Sequence, residues 1–365
     1  MIKKGLLILF TLTVMVVLLV SCNNKKDNAI RVIDELFTDM WPSGEPGGVV
    51  LVLHKNKVVF TKGYGLATID PETPATPSVN FCIASVSKQF AAVAILKLAQ
   101  EGKLSLDDPV SHYFPQFKAP FFSDIKLSQL LSHTSGIPDV RPRTDSLYVY
   151  HSTDVESYSY LDTLSFLNFP PGSSYEYMNP TYQLLYTVIE KASGVPFEEY
   201  MRDEIFLPAG MSNTQYFESG RDIPSMAHGY RFNSEKGNWE EYDYGEASFF
   251  ASKADGALYT SAEEFVLWEY ALRNNTILGQ EMTLEAHTSR IATDIPDTGY
   301  GYGWFISSIN GAPKIFHTGD NGGFKIYAGR CPQSETLLLI FSTRDFEREE
   351  TVEKVEGILA EAGWL

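Results

Sequence analysis

A serine and a lysine three residues apart, Ser85 and Lys88, sit in the otherwise largely apolar segment FCIASVSKQF at residues 81–90. On a helical turn, residues three apart face the same way, so the hydroxyl and the amine would be neighbours. The stretch that follows, QFAAVAILKLAQEGK, is rich in Ala and Leu, and no Pro occurs until Pro109. Gly102 near its end is a good residue for the left-handed position that closes helices. Apolar nearly all round, the stretch predicts a buried helix starting near Ser85. Burial lowers an amine's pKa, so a partly neutral Lys88 could accept the Ser85 proton, and the positive end of the helix would favour the alkoxide. The same spacing recurs at Ser123 and Lys126 in FFSDIKLSQLL. That copy follows Pro120, and the helix there is expected to begin with Ser128 as its cap, leaving the pair at the surface.

Two further patterns decide between chemistry and coincidence. Tyr177, Met178 and Asn179 form Tyr-x-Asn within PPGSSYEYMNPTYQLL, and His317, Thr318 and Gly319 form His-Thr-Gly at the end of a predicted strand, followed by DNGGF. Ser-x-x-Lys, then Tyr-x-Asn, then a basic residue with Thr-Gly is the signature order of serine β-lactamases and penicillin-binding proteins. The chain resembles the class C β-lactamase-like serine hydrolases of that superfamily, and the words LSQLLSHTSGIPD, ADGALYTSAEEF and HTGDNGGF are also similar to theirs. The resemblance covers roughly residues 49–343 and implies a β-lactamase/transpeptidase-like fold. It implies that Ser85 attacks a carbonyl and is acylated, with Lys88 as proton acceptor and Tyr177 as a phenol that relays protons and activates the deacylating water. Tyr177 would need cations such as Lys88 and His317 beside it to ionise at neutral pH. Asn179 would hold Lys88 and the substrate's amide, and His317, Thr318, Gly319 and Asp320 would line the substrate site. By similarity the oxyanion is held by the backbone amides of Ser85 and Asp320. Most class C lactamases carry Lys where this chain has His317 and a small residue where it has Asp320. A mostly neutral imidazole beside a carboxylate is a poor receptor for the carboxylate of a β-lactam. Met178 is expected to narrow the cleft. His133 in SHTSG, and Asp255 with Gly256, are assigned to turns. The tyrosine-rich residues 144–162 are equally compatible with a substrate-facing loop and with a solvated one.

The elements that must position these groups can be read in outline. GGVVLVLH and VVFTKGYG flank residues 55–57 as a β-hairpin, and YGWFISSI, PKIFHTG, FKIYAGR and ETLLLIFS read as four strands near the other end. Helices are expected over residues 29–41 and 349–362, and over TYQLLYTVIEKASG with Gly194 at its end. Ser261 and Glu264 predict a capping box for a helix through Leu272. Strands at both ends with helices between them imply an α/β (α+β) fold, an antiparallel sheet built from both termini and flanked by helices, with a mostly helical region inserted and a cleft between the two. The expected organisation is residues 1–21 as a signal peptide, 22–30 as a tether and 31–365 as the catalytic domain. Within that domain the sheet comes from about 45–70 and 298–345, and the helical region from about 85–290.

The amino terminus MIKKGLLILFTLTVMVVLLVSC carries Lys3 and Lys4, an uncharged apolar run and then Ser21 and Cys22. An uncleaved membrane anchor is the alternative, but LVSC resembles a bacterial lipobox, in which Cys22 is lipidated and becomes the first mature residue. Cleavage removes Lys3 and Lys4 and takes the formal charge from −17 to −19. Such acidity argues against nucleic-acid partners and against binding anionic lipid by charge, leaving the lipid on Cys22 as the membrane contact. Cys82 and Cys331 are expected to be separately buried thiols. No spacing of Cys and His predicts a metal site, and no cofactor is implied. The expected protein is a lipid-anchored serine hydrolase of the bacterial cell envelope, acting on an amide or ester of a small molecule or peptide. A cell-wall D,D-peptidase, a weak β-lactamase, or a homologue that binds ligand without turnover are the alternatives. Oligomeric state is left open.

Overall fold

The computed structural model describes residues 24–140, 153–217, 223–242 and 252–365. The expected signal segment, Cys22 and part of the tyrosine-rich segment lie outside the described residues. A first helix, α1, spans residues 24–40 and so takes in most of the expected tether. Hairpin strands β1 (Gly48–His54) and β2 (Lys57–Tyr64) follow. After the helical region come β3 (Ile291–Ala292), β4 (Gly299–Tyr300), β5 (Phe305–Ile309), β6 (Ala312–Asn321), β7 (Phe324–Cys331) and β8 (Thr336–Ser342), then helix α5 (Arg348–Glu361). They form an eight-stranded antiparallel sheet in the order β3-β4-β5-β6-β7-β8-β1-β2. The first and last strands of the sequence lie side by side in it, one strand in from the β2 edge, and there Val50 pairs with Ile340.

Both faces of this sheet are covered, which explains why β1 and β8 are apolar at nearly every position. Val49, Leu51 and Leu53 join the large core under the helical region, whereas Val50 and Val52 join a second core on the other face. That second core is closed by α1, whose Ala29, Ile33 and Phe37 recur every fourth residue, by Trp41 just after it, and by Val352, Val355 and Leu359 of α5.

The helical region is built on α2 (Lys88–Gln100) and α3 (Asn179–Ser193), with α4 (Ala262–Arg273) beside the sheet. α3 closes at Gly194, φ 79°. At α4, Ser261 accepts from the Glu264 N–H at 3.2 Å, but the reciprocal half of the expected capping box is absent. Glu264 instead accepts from the Asn213 N–H at 2.8 Å and the Thr214 hydroxyl at 2.6 Å, tying α4 to a neighbouring loop. Cys82 and Cys331 are both buried, as expected, and neither forms a disulfide among the described residues. Tyr158 and Tyr160 of the tyrosine-rich segment bond internally, to Thr187 and to the Pro138 carbonyl, each at 2.7 Å. Among the described residues no helix is long and apolar enough to cross a membrane.

Candidate active site

Ser85 does not stand in the α-helix expected to begin there. It lies in a 3₁₀ turn, Ala84–Ser87, and α2 begins at Lys88. The tighter turn serves the chemistry, because side chains three apart eclipse in 3₁₀ geometry and Ser85 is set directly over Lys88. Ala84 just before it has φ 46°, a strained value for a residue with a side chain.

Lys88 is fully buried. Its Nζ reaches Ser85 Oγ at 3.0 Å, Asn179 Oδ1 at 2.9 Å and the Asp255 carbonyl at 2.9 Å. Burial pushes its pKa down to about 8, against the opposing charge of Asp255. The partners then fix the direction of proton transfer. A neutral amine has two N–H donors and one lone pair, and both the amide oxygen and the backbone carbonyl are pure acceptors. The two N–H groups therefore go to Asn179 and Asp255, and the lone pair is left facing the only partner with a proton to give, Ser85. Asp255 is itself held by the Ser252 hydroxyl and, at 3.3 Å, by the Gln183 amide. It was expected to be a turn residue only, yet its carbonyl is one of the three groups that aim Lys88.

Tyr177 packs its ring 5.1 Å from Lys88 Nζ. Its hydroxyl is buried without a hydrogen bond of normal geometry. Burial raises its pKa well above the ordinary value, and the neighbouring Ser85 hydroxyl pulls the other way. The phenol is thus protonated in the resting site, and its expected ionisation by two cations is corrected, because His317 carries no charge.

His317 is 1% exposed, and burial together with Lys88 pushes its pKa down to about 3. Its Nδ1 lies 2.6 Å from the Thr318 carbonyl and its Nε2 lies 3.0 Å from the Tyr300 hydroxyl. A carbonyl can only accept, so Nδ1 carries the proton and Nε2 accepts from Tyr300. Both ring nitrogens thus have partners inside the wall, so His317 stands beside the cleft with its imidazole bonded to Tyr300 and Thr318. Tyr300 was not singled out by the sequence, and nothing in its spacing marks it. His133 belongs to the same wall. Its Nδ1 accepts from the Met178 N–H at 3.2 Å and its ring stands 4.3 Å from that of Tyr177, fitting the structural role expected of it.

β6 runs against the 3₁₀ turn, and a side chain at Gly319 would collide with the Ile83 carbonyl. This close approach brings Asp320 to the cleft, where Ser85, Asn179, Gln183, Ser252 and Asn321 also face a space of about 40 Å³. Arg348, at the start of α5, donates to the Asp320 carboxylate at 2.6 Å and to the Gly319 carbonyl at 3.3 Å. The negative charge expected to repel anionic substrates is therefore paired, and the end of β6 is pinned. Ser123 and Lys126 are at the surface as expected, although Lys126 rather than Ser128 occupies the cap position of the short helix Leu127–Leu131.

The β-lactamase family model matches residues 33–362. Among curated proteins the chain is 27% identical to Protein flp of Staphylococcus aureus over 307 residues, which is 83% of this chain and 60% of that protein. The chain thus spans less than two thirds of that relative's length. Among solved structures it is similar to the penicillin-binding protein from Bacillus halodurans, with a TM-score of 0.79 and 27% identity over 89% of this chain and 98% of that one. It shares its fold with the D-amino acid amidase from Ochrobactrum anthropi SV3, with a TM-score of 0.77 and 24% identity over 93% and 99% of the two chains. With Ser85 set against a buried lysine, on a sheet to which both ends of the chain contribute strands, the chain belongs to the β-lactamase family.

Proposed function

We propose that the protein is a lipid-anchored envelope hydrolase that cleaves a neutral ester or amide through an acyl-enzyme on Ser85. The observation that carries this reading is the contact of Ser85 Oγ with a fully buried lysine whose pKa is pushed down to about 8. Lys88 takes the Ser85 proton as the oxygen attacks the carbonyl carbon, and the backbone amides of Ser85 and Asp320 receive the negative oxygen. The proton returns to the leaving group through Lys88 and the Tyr177 phenol. Water then attacks the acyl-enzyme by the reverse route, with Tyr177 handing protons between water and Lys88. Asn179 orients Lys88 and meets the substrate's amide.

The absence of charge on His317 favours a neutral substrate over a carboxylate-bearing one. A second reading, a D,D-peptidase or weak β-lactamase, draws support from the penicillin-binding protein among its structural relatives. Mass spectrometry after exposure to esters, D-amino-acid peptides and penicillins tests both, by recording which acyl group appears on Ser85. An ester-derived acyl group that turns over is expected. A penicilloyl adduct alone would move the assignment to the second reading, and no adduct at all would overturn both. The anchoring rests on LVSC at residues 19–22. Cys22→Ser should abolish incorporation of labelled fatty acid, and equal incorporation by both forms would remove the lipid anchor.

A further inference from the structure

The space at Ser85, about 40 Å³, has room for little beyond the reacting group itself. The remainder of any substrate must lie outside it. Asp320, on its wall, is also on the wall of a groove of about 550 Å³. That groove is lined by Tyr230, Phe232, Trp239 and Phe324, with Arg231 and Lys325 among them.

The groove is a built feature. One side of it is a two-stranded hairpin, Tyr230–Asn233 with Asn238–Glu241, that pairs with no other strand among the described residues. A hairpin of this kind adds little stability by itself, yet it is mounted firmly. The Tyr230 N–H donates to the Thr343 carbonyl at 2.7 Å, and the Tyr230 hydroxyl accepts from the Ile69 N–H at 2.8 Å. A side chain at Gly229 or at Gly323 would collide with the backbone of the other, so the hairpin base is seated directly on the turn that follows β6. Phe232 and Trp239 face each other across the two strands, ring centroids 5.2 Å apart, and Phe232 is 50% exposed. The Arg344 guanidinium lies 4.2 Å from the Trp239 ring and is tied to Glu45 at 2.8 Å, which holds the indole in place. An exposed aromatic pair on a rigid mount beside a catalytic edge gains its value from a ligand.

We propose that this groove is the subsite for an aromatic substituent of the substrate, so that the enzyme selects aryl-bearing esters or amides over those with small groups. The inference rests on the proposed reaction at Ser85 and adds its substrate class. The reacting carbonyl sits at Ser85, the chain of the substrate passes Asp320, and the ring packs against Phe232 and Trp239.

Two matched pairs of esters test it on the full chain: acetyl against phenylacetyl esters of one alcohol, and ethyl against benzyl esters of one acid. The aryl member of at least one pair should have a kcat/KM about tenfold higher or more. Which pair shows the preference tells whether the groove takes the acyl or the leaving side. Phe232→Ala, at a half-exposed site that tolerates truncation, should lower that ratio, and Trp239→Ala should bring it close to one. Each ratio carries its own small-ester reference, so a general loss of activity in a variant cancels. No aryl preference in either pair, or a preference that survives both substitutions, would overturn the subsite while leaving the hydrolase intact. Failure of wild-type Ser85 to turn over any ester or to react with a phosphonate would overturn the reaction, and the subsite with it.

Discussion

The chain carries Ser-x-x-Lys twice, and the two copies share nothing beyond their spacing. At Ser85 and Lys88 the motif spans a 3₁₀ turn and the first residue of a buried helix, and the amine is wholly out of water. At Ser123 and Lys126 the serine ends a short 3₁₀ helix, while the lysine is extended, with φ −93° and ψ 157°. Its side chain is 49% exposed and paired with Asp107 at 2.8 Å. Lys88 has two pure acceptors and a hydroxyl around it, with the Asp255 carboxylate one bond network away. The motif is therefore an instruction that only desolvation can execute.

The sharpest way to break this comparison is to remove the two serines. Ser85→Ala should cut ester turnover by roughly 10⁴-fold or more and abolish phosphonate labelling, and Lys88→Ala should cost about as much because the pair acts as a unit. Ser123→Ala should leave both unchanged, and an equal loss there would reverse the choice of motif. Tyr177→Phe comes next. Loss of a proton relay costs on the order of 10² to 10⁴ in rate, and the expected signature is acyl-enzyme accumulating on Ser85 while labelling continues.

A smaller effect tests how far Asp255 opposes the lowering of the Lys88 pKa by burial. Labelling of Ser85 should rise with pH through about 8, because protonated Lys88 cannot accept a proton and its neutral form grows as pH passes its pKa. Asp255→Asn keeps the backbone carbonyl but removes the charge that favours the ammonium, so this rise should move to lower pH. A rise that stays in place would mean that Asp255 does not act on Lys88. The smallest effect belongs to the surface copy. Lys126→Ala should change unfolding free energy by no more than about 1 kcal/mol, the range of exposed ion pairs, as read by denaturant unfolding.

Much of this was legible in the sequence, for physical reasons. Strands that are apolar at nearly every position, such as VVLVL and TLLLIF at the two ends of the chain, need two covers, and the Ala-rich run after Lys88 has no polar face to give to water, so the sheet from both termini and the buried helix followed. Ser85, Lys88, Tyr177 and Asn179 were legible because each stands in a short local pattern. The residues that aim them were not. Asp255 contributes a backbone carbonyl, a group every residue has. Tyr300 and Arg348 act from 17 and 28 residues away along the chain, on His317 and Asp320 respectively. The partners of His317 were hidden for a related reason. Its residue type fits a site that binds anions, but the strand register turns the ring into the wall, where a phenol and a carbonyl occupy both nitrogens.

Helix α1 covers the face of the sheet turned away from α2, and its Ile33 and Phe37 belong to the same core as Val50, Val52 and Ile340. It is therefore part of the body of the domain. A chain trimmed to the first strand of the hairpin would leave that face of the sheet open to water, so the smallest unit that folds must reach back through α1.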